Sequence, residues 1–358
     1  MHNVVAPVRY QSVSLMGNRR LRAFANHLVA VETLPVVHHL LIGDIQANRT
    51  SVFDLADLSA WQEEQERFQD SITALNNVIR TVLASSAPHL RSLGIHGWNF
   101  DPTADLPAFP LLHSITLLGA PYNCAADTHT RFPSLRRLHL LTGGTSHDFW
   151  LNLTRFAPHC THLRLSNMSQ DTYLPSFLRI LLDIPPPLRV PGSPFIMGED
   201  SCLSPTSPEA QRAVILASQL SALEVVYAQP ASYKNGGWCG TGSIIHGTMV
   251  WGLKSVAAAA ARGEGVGKFI LLPEQELYIF ADAKRDWLDV VEGGSGPWPG
   301  GPGAPGDFVS PSVRAKWPEE GNAYFSQPSD AETALEDPED LTGNSGHDKR
   351  ESPRPSAP

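Results

Sequence analysis

Cysteine, net positive charge and long apolar runs are all scarce in this chain, and each scarcity removes a class of protein. Only four cysteines occur in 358 residues, Cys124, Cys160, Cys202 and Cys239, separated by 36 to 42 positions. No CxxC pair brings two thiolates to one metal, and so sparse a set makes a poor disulfide framework, so the thiols read as reduced. That places the chain inside the cell, in the cytoplasm or nucleus. The opening residues, MHNVVAPVRYQSVSLMGNRR, lack the apolar core of a signal peptide, and no stretch approaches the roughly 20 apolar residues of a membrane span. A membrane partner is not expected. Basic residues number 27 against 36 acidic ones, so the net field does not gather nucleic acid, and proteins are the expected partners.

Catalytic motifs are missing as well. The string RGEGVGKF, from Arg262 to Phe269, has only three residues between Gly263 and Gly267, puts Phe269 where a phosphate-binding loop needs a hydroxyl, and leads into a strand. It reads as a glycine turn. His159, Cys160 and His162 resemble metal ligands, but alternation along a strand sends Cys160 and Leu163 inward and His162 the other way, so one ion does not collect them. Neither GTGSIIHG nor GGSGPW forms the G-x-S-x-G turn of a serine hydrolase. No catalytic residue, cofactor site or metal site is assigned, and the chain is read as no enzyme.

What the chain does have is a repeat. Proline, one residue, then L-x-x-L-x-L appears as Pro88 with Leu90, Leu93 and Ile95, and as Pro110 with Leu112, Ile115 and Leu117. It continues as Pro133 with Leu135, Leu138 and Leu140, and as Pro158 with Cys160, Leu163 and Leu165. First positions step by 22, 23 and 25 residues, within the range of about 20 to 29 for leucine-rich repeats. Weaker copies lie at Tyr10, Val13 and Leu15, at Val37, Leu40 and Ile42, and at Leu220, Leu223 and Val225. The pattern is lost between Val37 and Leu90, an interval of two periods, and between Cys160 and Leu220 only PPPLRV, around Leu188, offers a candidate.

The last two apolar positions of the motif sit two apart and share one side of a strand. Each repeat thus presents an apolar edge it cannot bury alone, and stacking the repeats as a parallel ladder buries them all. Between the strands, helices are expected over LRAFANHL, over SITALNNVIRTVLASS with Asp70 or Ser71 as its cap, over HDFWLNLTRF and over PSFLRILLDI. A block from 248 to 292, with a helix over Met249–Ala261, the strand KFILLP and a helix over Ala281–Val291, is expected to close the apolar end of the array. Residues 293 to 358 hold 21 glycines and prolines and six of the nine net negative charges, a composition that does not repay its ordering entropy. The expected fold is therefore α/β, an irregular leucine-rich-repeat solenoid over 8–292 with its best repeats at 88–168, outer helices and a disordered acidic tail.

YQSVSL followed by LRAFANHL, the recurring APHLRSLGI, FPSLRRLHL and APHCTHLRL, and the closing AKRDWLDVVEGGSGPW carry a resemblance. Over residues 8 to 298 the chain resembles the F-box and leucine-rich-repeat-like proteins of mushroom-forming fungi, with Asp286, Trp287, Gly293, Gly294 and Trp298 matching the closing signature. The resemblance implies the substrate-receptor part of a cullin-type ubiquitin ligase, whose F-box docks a Skp-type adaptor while the repeats hold a client. The first strand starts near Tyr10, leaving no room before it for an F-box of about 45 residues, so adaptor docking is not expected.

Strand alternation locates a candidate surface. With Leu138 and Leu140 inward, Arg137 and His139 face outward, and the same register adds His162 and Arg164 from the next strand. These four form the candidate partner-binding cluster, suited to an acidic client. The alternatives are an enzyme or nucleotide-dependent switch on the same scaffold, or a truncated paralogue with no independent role.

Overall fold

The computed structural model describes residues 11–31, 34–43, 58–96, 106–118, 124–125, 127–185, 208–233 and 241–298. Within them the protein is α/β. Eight strands, β1 (Ser12–Met16), β2 (His39–Gly43), β3 (Ser92–Ile95), β4 (Ser114–Leu118), β5 (Arg137–Leu141), β6 (His162–Met168), β7 (Val225–Pro230) and β8 (Lys268–Leu271), form one sheet. All pairs are parallel and spatial order follows sequence order. Seven α-helices accompany them: α1 (Gly17–Ala30), α2 (Leu58–Ser86), α3 (His147–Phe156), α4 (Tyr173–Leu181), α5 (Pro208–Gln219), α6 (Thr241–Ala261) and α7 (Phe280–Val291).

Strand register explains the spacing of the leucines. Val13, Leu40, Leu93, Ile115, Leu138, Leu163, Val226 and Phe269 are successive partners across the whole sheet. A second column two residues later runs Leu15, Ile42, Ile95, Leu117, Leu140, Leu165 and Ala228. Both columns are buried in one core with the inner faces of α1 to α6, including Leu21, Leu83, Phe149, Leu174, Ala213 and Leu253. At about 1.5 to 3 kcal/mol for each buried aliphatic side chain, these columns are a substantial part of the favourable side of folding.

Local chemistry fixes the helix ends and contacts. The Ser146 hydroxyl accepts the Phe149 N–H at 3.2 Å and caps α3. Asp171 accepts the N–H groups of Tyr173 and Leu174, both at 2.9 Å, at the start of α4, and its other oxygen accepts from Thr145 ahead of α3. Trp150 of α3 stacks on Phe177 of α4 with ring centroids 4.1 Å apart. Gly263, Gly265 and Gly267 all have positive φ in the turn from α6 to β8, which is the conformation RGEGVGKF uses.

The structure departs from the sequence reading at several points. Neither long gap inserts a strand into the sheet, because β2 pairs directly with β3 and β6 directly with β7. The first gap is occupied largely by α2, which begins at Leu58, so Asp70 and Ser71 are interior helical positions and not caps. In β7 the core positions are Val226 and Ala228, and Val225 partners His162 on the other face. The motif there is Leu223, Val226, Ala228, three residues later than the pattern suggested; Ala228 is small enough to have masked it. PPPLRV lies mostly outside the described residues, as does the tail from 299 onward.

Two helices of the closing block also differ from expectation. The apolar stretch Gly242–Ala261 of α6 has the length and hydropathy of a membrane span, which the sequence reading had not recognised. In the fold it packs on α4 and β8 with Met249, Leu253 and Val256 buried, while Ile244 and Trp251 are exposed. Helix α7 does not cap the end of the array. It lies across the opposite face of the sheet and reaches back to β2.

Candidate functional site

The face opposite the core is set by the residues between the aliphatic columns. Its first column reads Ser12, His39, Ser92, Ser114, Arg137, His162, Val225 and Lys268, and its second Ser14, Leu41, Gly94, Thr116, His139, Arg164, Tyr227 and Ile270. The four candidate residues are therefore neighbours, as alternation required. Their exposure divides them. Arg137 and His162 are half-exposed, whereas His139 is 0 % and Arg164 8 % exposed.

The cause is the segment after β8, residues 272 to 298, which doubles back over this face. Gln275 bridges to Ala231 and its side chain accepts from Gln229 at 2.6 Å. Tyr278 is then held by Asn167, whose Oδ1 accepts the Tyr278 N–H at 2.7 Å while its Nδ2 donates to the Tyr278 carbonyl at 3.3 Å. Asn167 adopts φ of 67° to do this, a conformation asparagine tolerates better than most residues. The Tyr278 ring meets His139 edge-on at 4.9 Å and lies 5.8 Å from the Arg164 guanidinium carbon. Phe280 covers Gly43 and packs edge-on against His96 at 5.7 Å. Trp298, 2 % exposed, closes the segment against Tyr227, Leu272 and Val225.

Beneath this cover lies a buried polar network. Arg164 donates to the Pro297 carbonyl, to Gln229 Oε1 at 2.8 Å and to Ser166 Oγ at 3.2 Å. Ser166 Oγ is also 2.9 Å from His139 Nε2. The Tyr278 hydroxyl donates to Asp286 Oδ2 at 2.8 Å, and Arg285 bridges Asp286 at 3.3 Å and Asp282 at 3.0 Å. Burial is the first cause of every shift here. It holds the His139 ring well below its usual pKa, reinforced by Arg164 and His96, and lowers Arg164 against the opposing pull of Asp286. It raises Tyr278 well above its usual value, with Asp286 adding to the effect, and raises Asp286 despite Arg164 and Arg285.

Comparison of the chain with known protein families, curated proteins and solved structures finds no match.

The arrangement must therefore speak through its own chemistry. Small side chains at Ser92, Gly94, Ser114 and Thr116 leave a shallow cleft under α7, roofed by Asp286 and Trp287. Asp286 is engaged there by Tyr278 and Arg285. Cys160 faces the core, and burial pushes its thiol up to about 12, a value that leaves no thiolate near neutrality. The network holds the returning segment down on the sheet.

Alternation in the sequence found the right face but not its cover. Tyr278, Asn167 and Phe280 carry no role in the sequence pattern, and the signal for the cover is Gly43. A glycine inside a strand marks a close approach by another group, and at Gly43 that group is Phe280.

Proposed function

We propose that the chain is a non-catalytic protein–protein interaction module, an irregular leucine-rich-repeat solenoid resembling the substrate-receptor part of F-box proteins in cullin-type ubiquitin ligases. The observation that carries this reading is the pair of aliphatic columns running through the parallel strands, with α1 to α6 gathered on their side. Such a ladder grows by adding strands in sequence order and leaves long rows of side chains and strand ends to meet a partner. The sequence resemblance adds the receptor role. Arg137 and His162 are the members of the candidate cluster accessible to a client, while His139 and Arg164 serve the internal network.

The test is affinity purification with the full-length tagged chain as bait, followed by quantitative mass spectrometry and a thermal-shift screen with nucleotides and divalent metals. A protein partner recovered above an unrelated bait, with no thermal stabilisation by nucleotide or metal, is the expected outcome. Stabilisation by several degrees with a nucleotide or metal, and no protein partner, would replace this reading with an enzyme or switch. Co-elution with a purified Skp-type adaptor supports the ligase role, and separate elution removes it.

A further inference from the structure

The rim where the strands begin carries a row of cations that form no ion pair among the described residues. Backbone hydrogen bonds fix the row: Arg91 N–H to the His38 carbonyl at 2.7 Å, His113 to Arg91 at 3.0 Å, Arg136 to His113 at 3.1 Å, and Thr161 to Arg136 at 2.8 Å. His38, Arg91, His113 and Arg136 thus stand on four adjacent strands, with Arg137 and His162 in the neighbouring column. Arg91, His113 and Arg136 are exposed, and His38, Arg137 and His162 are half-exposed. Among the described residues at the strand starts, the first acidic one is Glu224, where β7 begins. Among the described residues no ion pair involves Arg91, Arg136 or Arg137. The Arg136 guanidinium is instead braced by the carbonyls of Leu135 and His159 at 3.2 and 3.3 Å.

We propose that this rim, from β2 to β6, is the docking site for an extended acidic segment of a protein partner. The inference rests on the interaction-module reading and names its partner's chemistry. Strands about 4.8 Å apart make the rim roughly 19 Å long, the span of about six extended residues. Charge selects the occupant: a chain of net charge −9 bears here a cationic row that forms no ion pair among the described residues, and electrostatic complementarity is what such rows supply. Nucleic acid is the weaker match. Three guanidiniums fall short of the roughly six to ten phosphate contacts typical of nucleic-acid binding, and the overall charge repels it.

The histidines tie docking to pH. His38, His39, His113 and His162 all have lowered pKa values, first from burial and then from neighbouring cations: Arg91 and His89 for His38, His38, His113 and Arg91 for His39, Arg137 and Arg91 for His113, and Arg137 for His162. Glu224 alone opposes, at His162. His159, whose carbonyl Arg136 holds, and the Trp298 ring, 6.1 Å from His162, also lie beside the row, with the Thr161 and Ser92 hydroxyls bonded to His162 and His39. An acidic segment supplies the missing counter-charge, so the rings take up protons as it docks and binding tightens as pH falls.

The experiment is fluorescence anisotropy with the full-length chain and a labelled decaglutamate peptide at low ionic strength, against decaglutamine and an oligothymidylate of equal length. Decaglutamate should bind, more tightly at pH 6 than at pH 8 and more weakly as salt rises, while decaglutamine should not. R91E, R136E and R137E should each weaken binding by about three- to tenfold, and R212E on α5 should leave it unchanged. Circular dichroism and urea midpoints confirm that each variant is folded. Absence of decaglutamate binding, indifference to the three reversals, or tighter binding of oligothymidylate overturns the proposal. A natural partner retained unchanged by the triple reversal overturns the rim alone and leaves the module reading standing.

Discussion

The Phe280 ring lies directly on Gly43, so close that a Cβ added there would fall 1.8 Å from its Cε2. The contact ties α7 to β2, distant from β8 in the sheet. Gly43 has no positive φ, so alanine is acceptable to the backbone and its penalty is steric alone. Gly43→Ala should cost about 1 to 3 kcal/mol through overpacking and lift α7. Limited trypsinolysis should then cut faster at Lys284 and Arg285. Adding Phe280→Ala to Gly43→Ala should recover part of the stability, since the clash goes with the ring. Cleavage of Gly43→Ala at the wild-type rate would mean that the contact does not hold the segment.

Arg164 and Arg137 stand in adjacent strands on one face, yet substitution should separate them. Arg164→Met leaves the Pro297 carbonyl without this donor, takes one of two donors from Gln229 Oε1, which keeps the Ser166 hydroxyl, and removes the cation opposing Asp286. Breaking one side of a buried charged network costs about 3 to 5 kcal/mol, and urea denaturation should show a loss of that order. Arg137→Met, half-exposed and without an ion pair, should stay within about 0.5 kcal/mol of wild type. Equal effects would contradict the division of the four candidate residues into two buried and two accessible.

Where packing repeats, the sequence was legible. Leu90, Leu93 and Ile95 and their three successors follow one rule because each strand meets the same neighbours, and β3 to β6 fell where the motif placed them. Legibility failed where one contact is made only once. Tyr278 with Asn167 and Phe280 with Gly43 join residues 111 and 237 positions apart, and no period announces them. The outward face of His139 followed from alternation, but its burial depended on what crosses it. Val225 misled for another reason, since a branched aliphatic residue next to Val226 hides which of the two faces the core.

Cys160 offers a chemical probe of the ladder. It takes the first position of its repeat, is 2 % exposed, and its thiol lies 3.2 Å from the His162 carbonyl. With its pKa at about 12, it should resist iodoacetamide at pH 8 in the native protein and react on unfolding in urea. Peptide mapping by mass spectrometry reads the modification directly. Rapid native labelling of Cys160 would show that the core column opens locally at β6.

His139 makes stability depend on pH in a defined direction. In the fold burial keeps its ring neutral, with a pKa well below the usual value, whereas in the unfolded chain it titrates near 6.5. Below that pH the unfolded chain gains a proton the native protein refuses, so stability present above it is lost as pH falls, by up to about 1.4 kcal/mol per pH unit for one ring. His96, lowered mainly by burial, and the rim histidines act in the same direction but are partly exposed and contribute less. Asp286 has the opposite sign. Its raised pKa gives a contribution present in acid and lost as pH rises through the folded value, and the lowered histidines dominate as pH falls from 7.5 towards 5.5. Urea midpoints should therefore hold steady above pH 7.5 and decline from 6.5 downward. His139→Gln keeps a hydrogen-bonding group near Ser166 but removes the titration, and its decline should be shallower by up to one proton's worth. Matching slopes for His139→Gln and wild type would show that His139 accepts its proton within the folded sheet.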